Sequence, residues 1–235
     1  MKYTMAALPT FLAQDIGEIV VLFINNGSTD GTTQWLHTLP PNVLTMHFSP
    51  GRSMAASWNS TLSWIFDPQP RPSRGSWWPP MTDYALVVNN DVLLRPDTYR
   101  RLVEDGGQFV TCVGNDDPQC IGPPWEEPKE TPRPHPDFSC YLIRQECWRT
   151  VGPFNQDFSG AYAEDSDYHV RLHRTGINAY CIDLPFYHVG AGTLKSSDET
   201  EAKRIKDHAD KNRKLFKDLY GCEVGSQEYY AIFGQ

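Results

Sequence analysis

No stretch of this chain is apolar for long enough to cross a membrane, and residues 1–14 show neither the basic start nor the long apolar core of a secretory leader. No Gly/Ser-rich linker and no internal repeat divides it, so residues 1–235 are expected to form one domain, with a core over 5–195. Basic charge is scarce: 21 Lys and Arg stand against 29 Asp and Glu, a net charge of −8, which argues against broad nucleic-acid binding. A phosphate-bearing ligand would therefore need a cation or a local positive group to hold it. The six cysteines, Cys112, Cys120, Cys140, Cys147, Cys181 and Cys222, lack the CxxC spacing of a metal site. Several sit in apolar runs and read as small core residues of a reducing, cytoplasmic protein, with a Cys112–Cys120 bridge as the alternative.

What is present is an ordinary supply of core formers, 40% hydrophobic, laid out as alternating strands and helices. Residues 18–25 are a short continuous apolar run, the pattern of a strand buried on both faces of a parallel sheet. A turn rich in Asn, Gly, Ser and Asp follows, then a brief helix over 32–37, a strand over 42–48 and a helix over 53–66. Further strands are expected at 84–88, 108–113, 138–144 and 178–182, and a further helix at 96–104. Such alternation predicts an α/β fold with a mostly parallel central sheet flanked by helices, and ligands at the carboxyl ends of its strands.

Two Pro-rich segments interrupt this order: 67–82, with Trp77 and Trp78, and 117–137, with Trp125. Proline removes backbone donors, so neither is a core element. Their tryptophans suit sugar stacking or a lid, and equally suit packing onto the domain. Residues 198–220 form a charged helix whose inner stripe is expected to be Ile205, Asn212, Leu215 and Leu219.

The chemistry concentrates in residues 160–176. Glu164, Asp165 and Asp167 place three carboxylates within four residues, at the start of a helical pattern that Gly176 stops. A helix cap needs one such side chain. Three repel one another, and the surplus points to a base, a substrate hydroxyl or a cation. Asn89-Asn90-Asp91 ends a strand, where Asp91 serves either as a hard oxygen ligand for Mg²⁺ or Mn²⁺ or as a turn former. His188, at the entry to a glycine-rich stretch, is a further candidate ligand or simply a packing residue.

In this order the segments resemble the inverting glycosyltransferases of the GT-A fold, family 2 type, with a rhamnosyltransferase-like flavour. The likeness rests on Ile24-Asn25-Asn26-Gly27-Ser28-Thr29-Asp30-Gly31-Thr32, Asn89-Asn90-Asp91-Val92, Val151-Gly152-Pro153-Phe154-Asn155, Glu164-Asp165-Ser166-Asp167 with Arg171, and His188. It implies a nucleotide-sugar donor (UDP-, GDP- or dTDP-linked), a hydroxyl acceptor such as a glycan, and Mn²⁺ or Mg²⁺. It also implies roles: Asp165 as base with Glu164 beside it, and Asp91 and His188 on the metal. Asn25, Asn26, Asp30, Arg52, Asn59 and Asn90 would lie along the sugar nucleotide.

Three departures accompany the likeness. Asn89 stands where the family's metal motif has a first acidic residue, and Asn25 where an acidic residue is usual. Residues 8–14 resemble the family's first helix, so the strand that should precede it is missing, and its neighbours would keep unpaired edges. A homodimer that fills the gap is one expectation. A non-catalytic nucleotide- or sugar-binding module on a degenerate GT-A fold is the alternative function. A nucleotidyltransferase is disfavoured, since residues 1–31 hold no glycine-rich, basic phosphate loop.

Overall fold

The computed structural model describes residues 1–17, 19–67, 82–123, 135–160, 162–188 and 199–234. Trp77, Trp78 and Trp125 lie outside the described residues, as does the glycine-rich stretch after His188.

Helix α1 (Lys2–Leu12) leads into strand β1 (Val21–Asn26), the short helix α2 (Thr32–Leu36) and strand β2 (Val43–Phe48). Helix α3 (Met54–Phe66) follows, capped by Ser53, whose hydroxyl accepts the Ala56 N–H at 3.2 Å. Strands β3 (Tyr84–Val88) and β4 (Val92–Leu93), helix α4 (Thr98–Asp105) and strand β5 (Phe109–Asn115) come next. Beyond a 3₁₀ turn lie β6 (Cys140–Arg144), α5 (Gln145–Val151), α6 (Glu164–Arg174) and β7 (Ala179–His188). A long helix α7 (Glu199–Tyr220) and a short α8 (Gln227–Ala231) close the chain.

The sheet is in two parts. β1 and β2 pair in parallel, Val21 opposite Val43. A five-stranded sheet has the order β3-β6-β5-β7-β4, in which β5 and β7 are parallel while β6 opposes both β3 and β5 and β4 opposes β7. β3, β5 and β7 therefore share one direction, and the architecture is the mixed α/β sheet with flanking helices that the alternation predicts.

Among the described residues no strand pairs with the free edges of β1 and β3, so the two sheets are not joined by a hydrogen-bonded ladder. This has a visible consequence for β1. Val21–Ile24 are half-buried, where a continuous apolar run predicts burial on both faces, because the edge toward β3 has no neighbour among the described residues.

Two apolar clusters sandwich the larger sheet. On one face α3, α5 and α6 bring Trp58, Phe66, Trp148 and Tyr168 against Phe109, Tyr141 and Ile143. On the other, Leu102 of α4 packs with Val110, Leu142 and Phe186. Pleating sends alternate residues of one strand to opposite faces, which is why Phe109 and Val110 serve different clusters. The charged helix α7 buries Ala209, Asn212 and Phe216. Leu219, expected on the inner stripe, is 51% exposed, so the stripe turns one residue away from that reading. None of the six cysteines forms a disulfide, including Cys112 and Cys120, and four of those on the sheet and α5 are core residues as expected.

Candidate active site

The acidic cluster opens α6 from an unusual turn. Tyr162 and Ala163 both adopt left-handed backbone conformations, with φ of 76° and 71°, which side chains with a Cβ rarely tolerate. Two amide bonds hold that turn: buried Asn212 of α7 donates to the carbonyls of Ser159 and Tyr162, each at 3.0 Å. The turn delivers Glu164 into the interior at 6% exposure and leaves Asp165 half-buried beside it.

The three carboxylates then divide their roles. Asp167 is structural: it accepts from Arg171 at 2.9 Å and from the Tyr220 hydroxyl at 2.6 Å. Glu164 Oε2 is buried and has no hydrogen-bond partner among the described residues. Burial, reinforced by the nearby Asp165 charge, raises its pKa to about 8. Burial also raises Asp165, but the Ser166 amide and hydroxyl oppose the shift, donating to Oδ1 at 2.7 and 3.3 Å. At neutral pH Glu164 therefore holds its proton, while the Ser166 hydrogen bonds favour the ionised form of Asp165 against its burial. An ionised carboxylate next to a neutral one is a poised base.

Asp91 and His188 come together through the β4–β7 pairing, which sets Val92 opposite His188 and so brings the preceding Asp91 alongside. A carboxylate oxygen of Asp91 lies 3.4 Å from His188 Nε2. Beside them is an open surface cleft bordered by Gly114, Asn115, Asp116, Asp137 and His188. At Gly114 a Cβ would stand 2.9 Å from Asp137 Oδ2, so a side chain there would push that carboxylate aside. Asp137 borders the His188 cleft, and its negative charge adds slightly to the upward push on Asp165. Nothing in the sequence marked Asp137, which ends a Pro-rich segment and carries no spacing signal.

Among the described residues no three carboxylate, imidazole or thiolate groups converge on one point as a complete metal cage. The oxygen of Asp91 and the imidazole of His188 nonetheless suit Mn²⁺ or Mg²⁺, which commonly take one or two protein ligands and fill the remaining positions with phosphate oxygens.

The other sequence candidates lie at the strand ends, and most are engaged within the fold. Asn25, 4% exposed, donates to Thr33 Oγ1 at 2.8 Å, contacts His47 at 3.3 Å and accepts from the Ser28 amide. Asn26 clamps Arg52 by two backbone bonds of 2.7 Å, across a close approach in which a Cβ on Gly27 would meet Gly51 N at 2.8 Å. Arg52 also sits over the Phe48 ring and bonds Ser60. Asp30 is held down to about 2 by a hydrogen bond from the Met1 ammonium and by Thr32. Asn59 is buried and pairs with both the N–H and C=O of Phe154, at 2.7 and 2.8 Å. Asn90 is exposed and donates to Thr4.

No protein-family model matches this chain, and no curated protein matches its sequence. Its fold is nevertheless similar to that of solved enzymes. The mannosyltransferase PcManGT of Pyrobaculum calidifontis, in complex with GDP-Man and Mn²⁺, superposes with a TM-score of 0.63 at 16% identity, covering 99% of this chain and 64% of that one. GalNAc-T7 with UDP, GalNAc and Mn²⁺ gives a TM-score of 0.55 at 7% identity, over 92% and 48%. The chain thus spans under two thirds of the length of either, and its fold is that of GT-A glycosyltransferases.

Proposed function

We propose that this chain transfers a sugar from a nucleotide-diphosphate donor to an acceptor hydroxyl with inversion at the anomeric carbon. The observation that carries this reading is the Glu164–Asp165 pair at the start of α6, a buried carboxyl that keeps its proton at neutral pH beside a second carboxylate that accepts two hydrogen bonds from Ser166. The fold supports it, because both solved neighbours bind sugar-nucleotide components with Mn²⁺.

In this mechanism Asp165 takes the proton of the acceptor hydroxyl as that oxygen attacks the anomeric carbon. The bond from that carbon to the diphosphate oxygen breaks, and its electron pair departs with the nucleotide. Attack from the side opposite the leaving group inverts the configuration. Neutral Glu164 spares the base a negative charge directly beside it, and the two Ser166 hydrogen bonds favour its ionised form. Asp91 and His188 would hold a divalent ion, whose charge offsets that developing on the leaving diphosphate.

A donor-binding module without turnover is the second reading. It is favoured by Asn25 and Asn59, whose side chains are bonded inside the fold where the resemblance implies donor contacts. One assay separates the two. UDP-, GDP- and dTDP-sugars are incubated with Mn²⁺ and a panel of glycan acceptors, and products are read by NMR. Transfer requires a product of opposite anomeric configuration, lost on chelation. Binding without product favours the module.

A further inference from the structure

The two C-terminal helices pack against the start of α6, where the acidic pair sits. Phe216 of α7, with Cys222 and Tyr229 beyond it, is buried among Phe158, Ala163 and Val170 in a third apolar cluster. Ser226 caps α8, its hydroxyl accepting the Tyr229 N–H at 3.2 Å. Phe233, just past α8, stacks on His169 of α6 with ring centroids 4.0 Å apart. Tyr229 is thereby fixed against α6 at 7% exposure.

A buried phenol needs partners for its hydroxyl, and those of Tyr229 lie on the helix that carries the base. On one side the hydroxyl is 3.4 Å from His169 Nδ1. On the other it meets the Ser166 side chain, whose hydrogen bond counters part of the upward push of burial and of the Asp165 charge on the phenol. Ser166 in turn donates to Asp165 Oδ1, from its hydroxyl at 3.3 Å and its amide at 2.7 Å. A chain of polar groups thus runs from His169 through Tyr229 and Ser166 to the base.

Each hydroxyl has one proton to give, so such a chain has a direction. An ionised Asp165 can only accept. The Ser166 proton therefore points to Asp165, the Ser166 oxygen takes the Tyr229 proton, and the Tyr229 oxygen takes a proton from His169, which by this direction is the Nδ1–H tautomer. His169 suits the far end. Burial, with His135 and His173 nearby, lowers its pKa to about 3, so it is a neutral donor rather than a competing charge. Other titratable groups face the chain from each packed element: Tyr230 and Cys222 act on Tyr229, Glu164 stands beside Asp165 on its own helix, and Asp137 acts on Asp165 from before β6.

We propose that Tyr229 and His169 are positioning residues for the Asp165 base, aligning the Ser166 hydroxyl on its carboxylate, so that the C-terminal helices are part of the active site. The effect on rate rests on the transferase reading; the hydrogen-bonded chain does not. Tyr229 lies outside every segment on which the likeness of sequence rests. Without its phenol the Ser166 hydroxyl is free to turn to another acceptor, and Asp165 loses part of the support that opposes its burial.

Tyr229→Phe keeps the ring and removes the hydroxyl. Weaker support for the ionised carboxylate raises its pKa, so the acidic limb of the kcat/KM profile should move up by about half a pH unit or more, with kcat lowered about threefold or more and donor KM unchanged. Ser166→Ala should shift the limb the same way, and the double variant should move it no further than Ser166→Ala alone, because both changes act through one hydroxyl. Carbon-13 NMR titration of the Asp165 carboxyl in each protein reads the same order without turnover. Absence of product from the parent protein fails the transferase reading alone, and the carboxyl titration then still decides the chain. If Tyr229→Phe does not fold, His169→Phe, which keeps a ring against Phe233 and removes the donor, decides on the same readouts. Two results overturn the proposal: an Asp165 titration unmoved in Tyr229→Phe while the melting temperature falls, as for a merely structural tyrosine, or single shifts that add in the double variant.

Discussion

His188 Nε2 stands 3.4 Å from the Asp91 carboxylate because the β4–β7 register sets His188 opposite Val92. The pair is thus held by main-chain pairing, and either side chain can be altered without dismantling the sheet. Asp91→Asn and His188→Ala should each fold and each weaken Mn²⁺-dependent nucleotide binding by about tenfold or more. Calorimetric titration of a nucleoside diphosphate, with Mn²⁺ and with chelator, checks this. Unchanged metal dependence in both variants would remove them from the metal site.

Glu164 gives the protein a pH signature. Its carboxyl is raised from 4.5 to about 8 by burial and by the Asp165 charge. A raised folded-state pKa favours folding fully below the unfolded value, and that contribution is lost as pH climbs toward the folded value. Stability should therefore fall between about pH 4.5 and 8, by a few kcal/mol at most. Glu164→Gln, which cannot ionise, should flatten this part of the curve and melt higher than the parent at pH 9. Melting temperatures of both proteins from pH 5 to 9 test it.

Asn59 ties α3 to the loop before α6 through both main-chain groups of Phe154. Asn59→Ala would leave a buried N–H and a buried C=O without partners, at a cost of about 2–4 kcal/mol. Denaturant unfolding measures that cost. Nucleotide affinity should change far less than stability, which separates this structural role from the donor contact implied by sequence resemblance.

Asn212 reaches from the charged helix to the carbonyls of Ser159 and Tyr162 and braces two left-handed residues in front of Glu164. Asn212→Ala should cost about 1–3 kcal/mol and let that turn relax, lowering the transfer rate while donor binding persists. Unfolding and steady-state kinetics on one preparation give both readouts.

Much of this arrangement was legible in the residues. Continuous apolar runs marked β1, β2 and β3 to within a few positions, because such runs are too short for helices and too apolar for loops. β7 was expected to stop near 182 but continues to His188. Pro185 looks like a terminator, yet it sits opposite Val113 beside a register irregularity in the β5–β7 ladder, where a missing donor is tolerated. Helix α5, of seven residues, is too short to display a period. The Glu164–Asp165 pair was visible because clustered carboxylates are costly. Asp137 was not, since it meets Gly114 and His188 only through the fold. Nor could sequence show that Asn59 and Asn212 would be spent on buried carbonyls, because partners 95 and 50 or more residues away leave no local pattern.

The most direct test of the account is Asp165→Asn, assayed for transfer and for donor binding on the same protein. The account predicts a loss of at least about a hundredfold in turnover, with nucleotide-sugar affinity in Mn²⁺ nearly unchanged, because the base acts only as the acceptor oxygen attacks. Full turnover in this variant, or donor affinity falling in step with turnover, would contradict it.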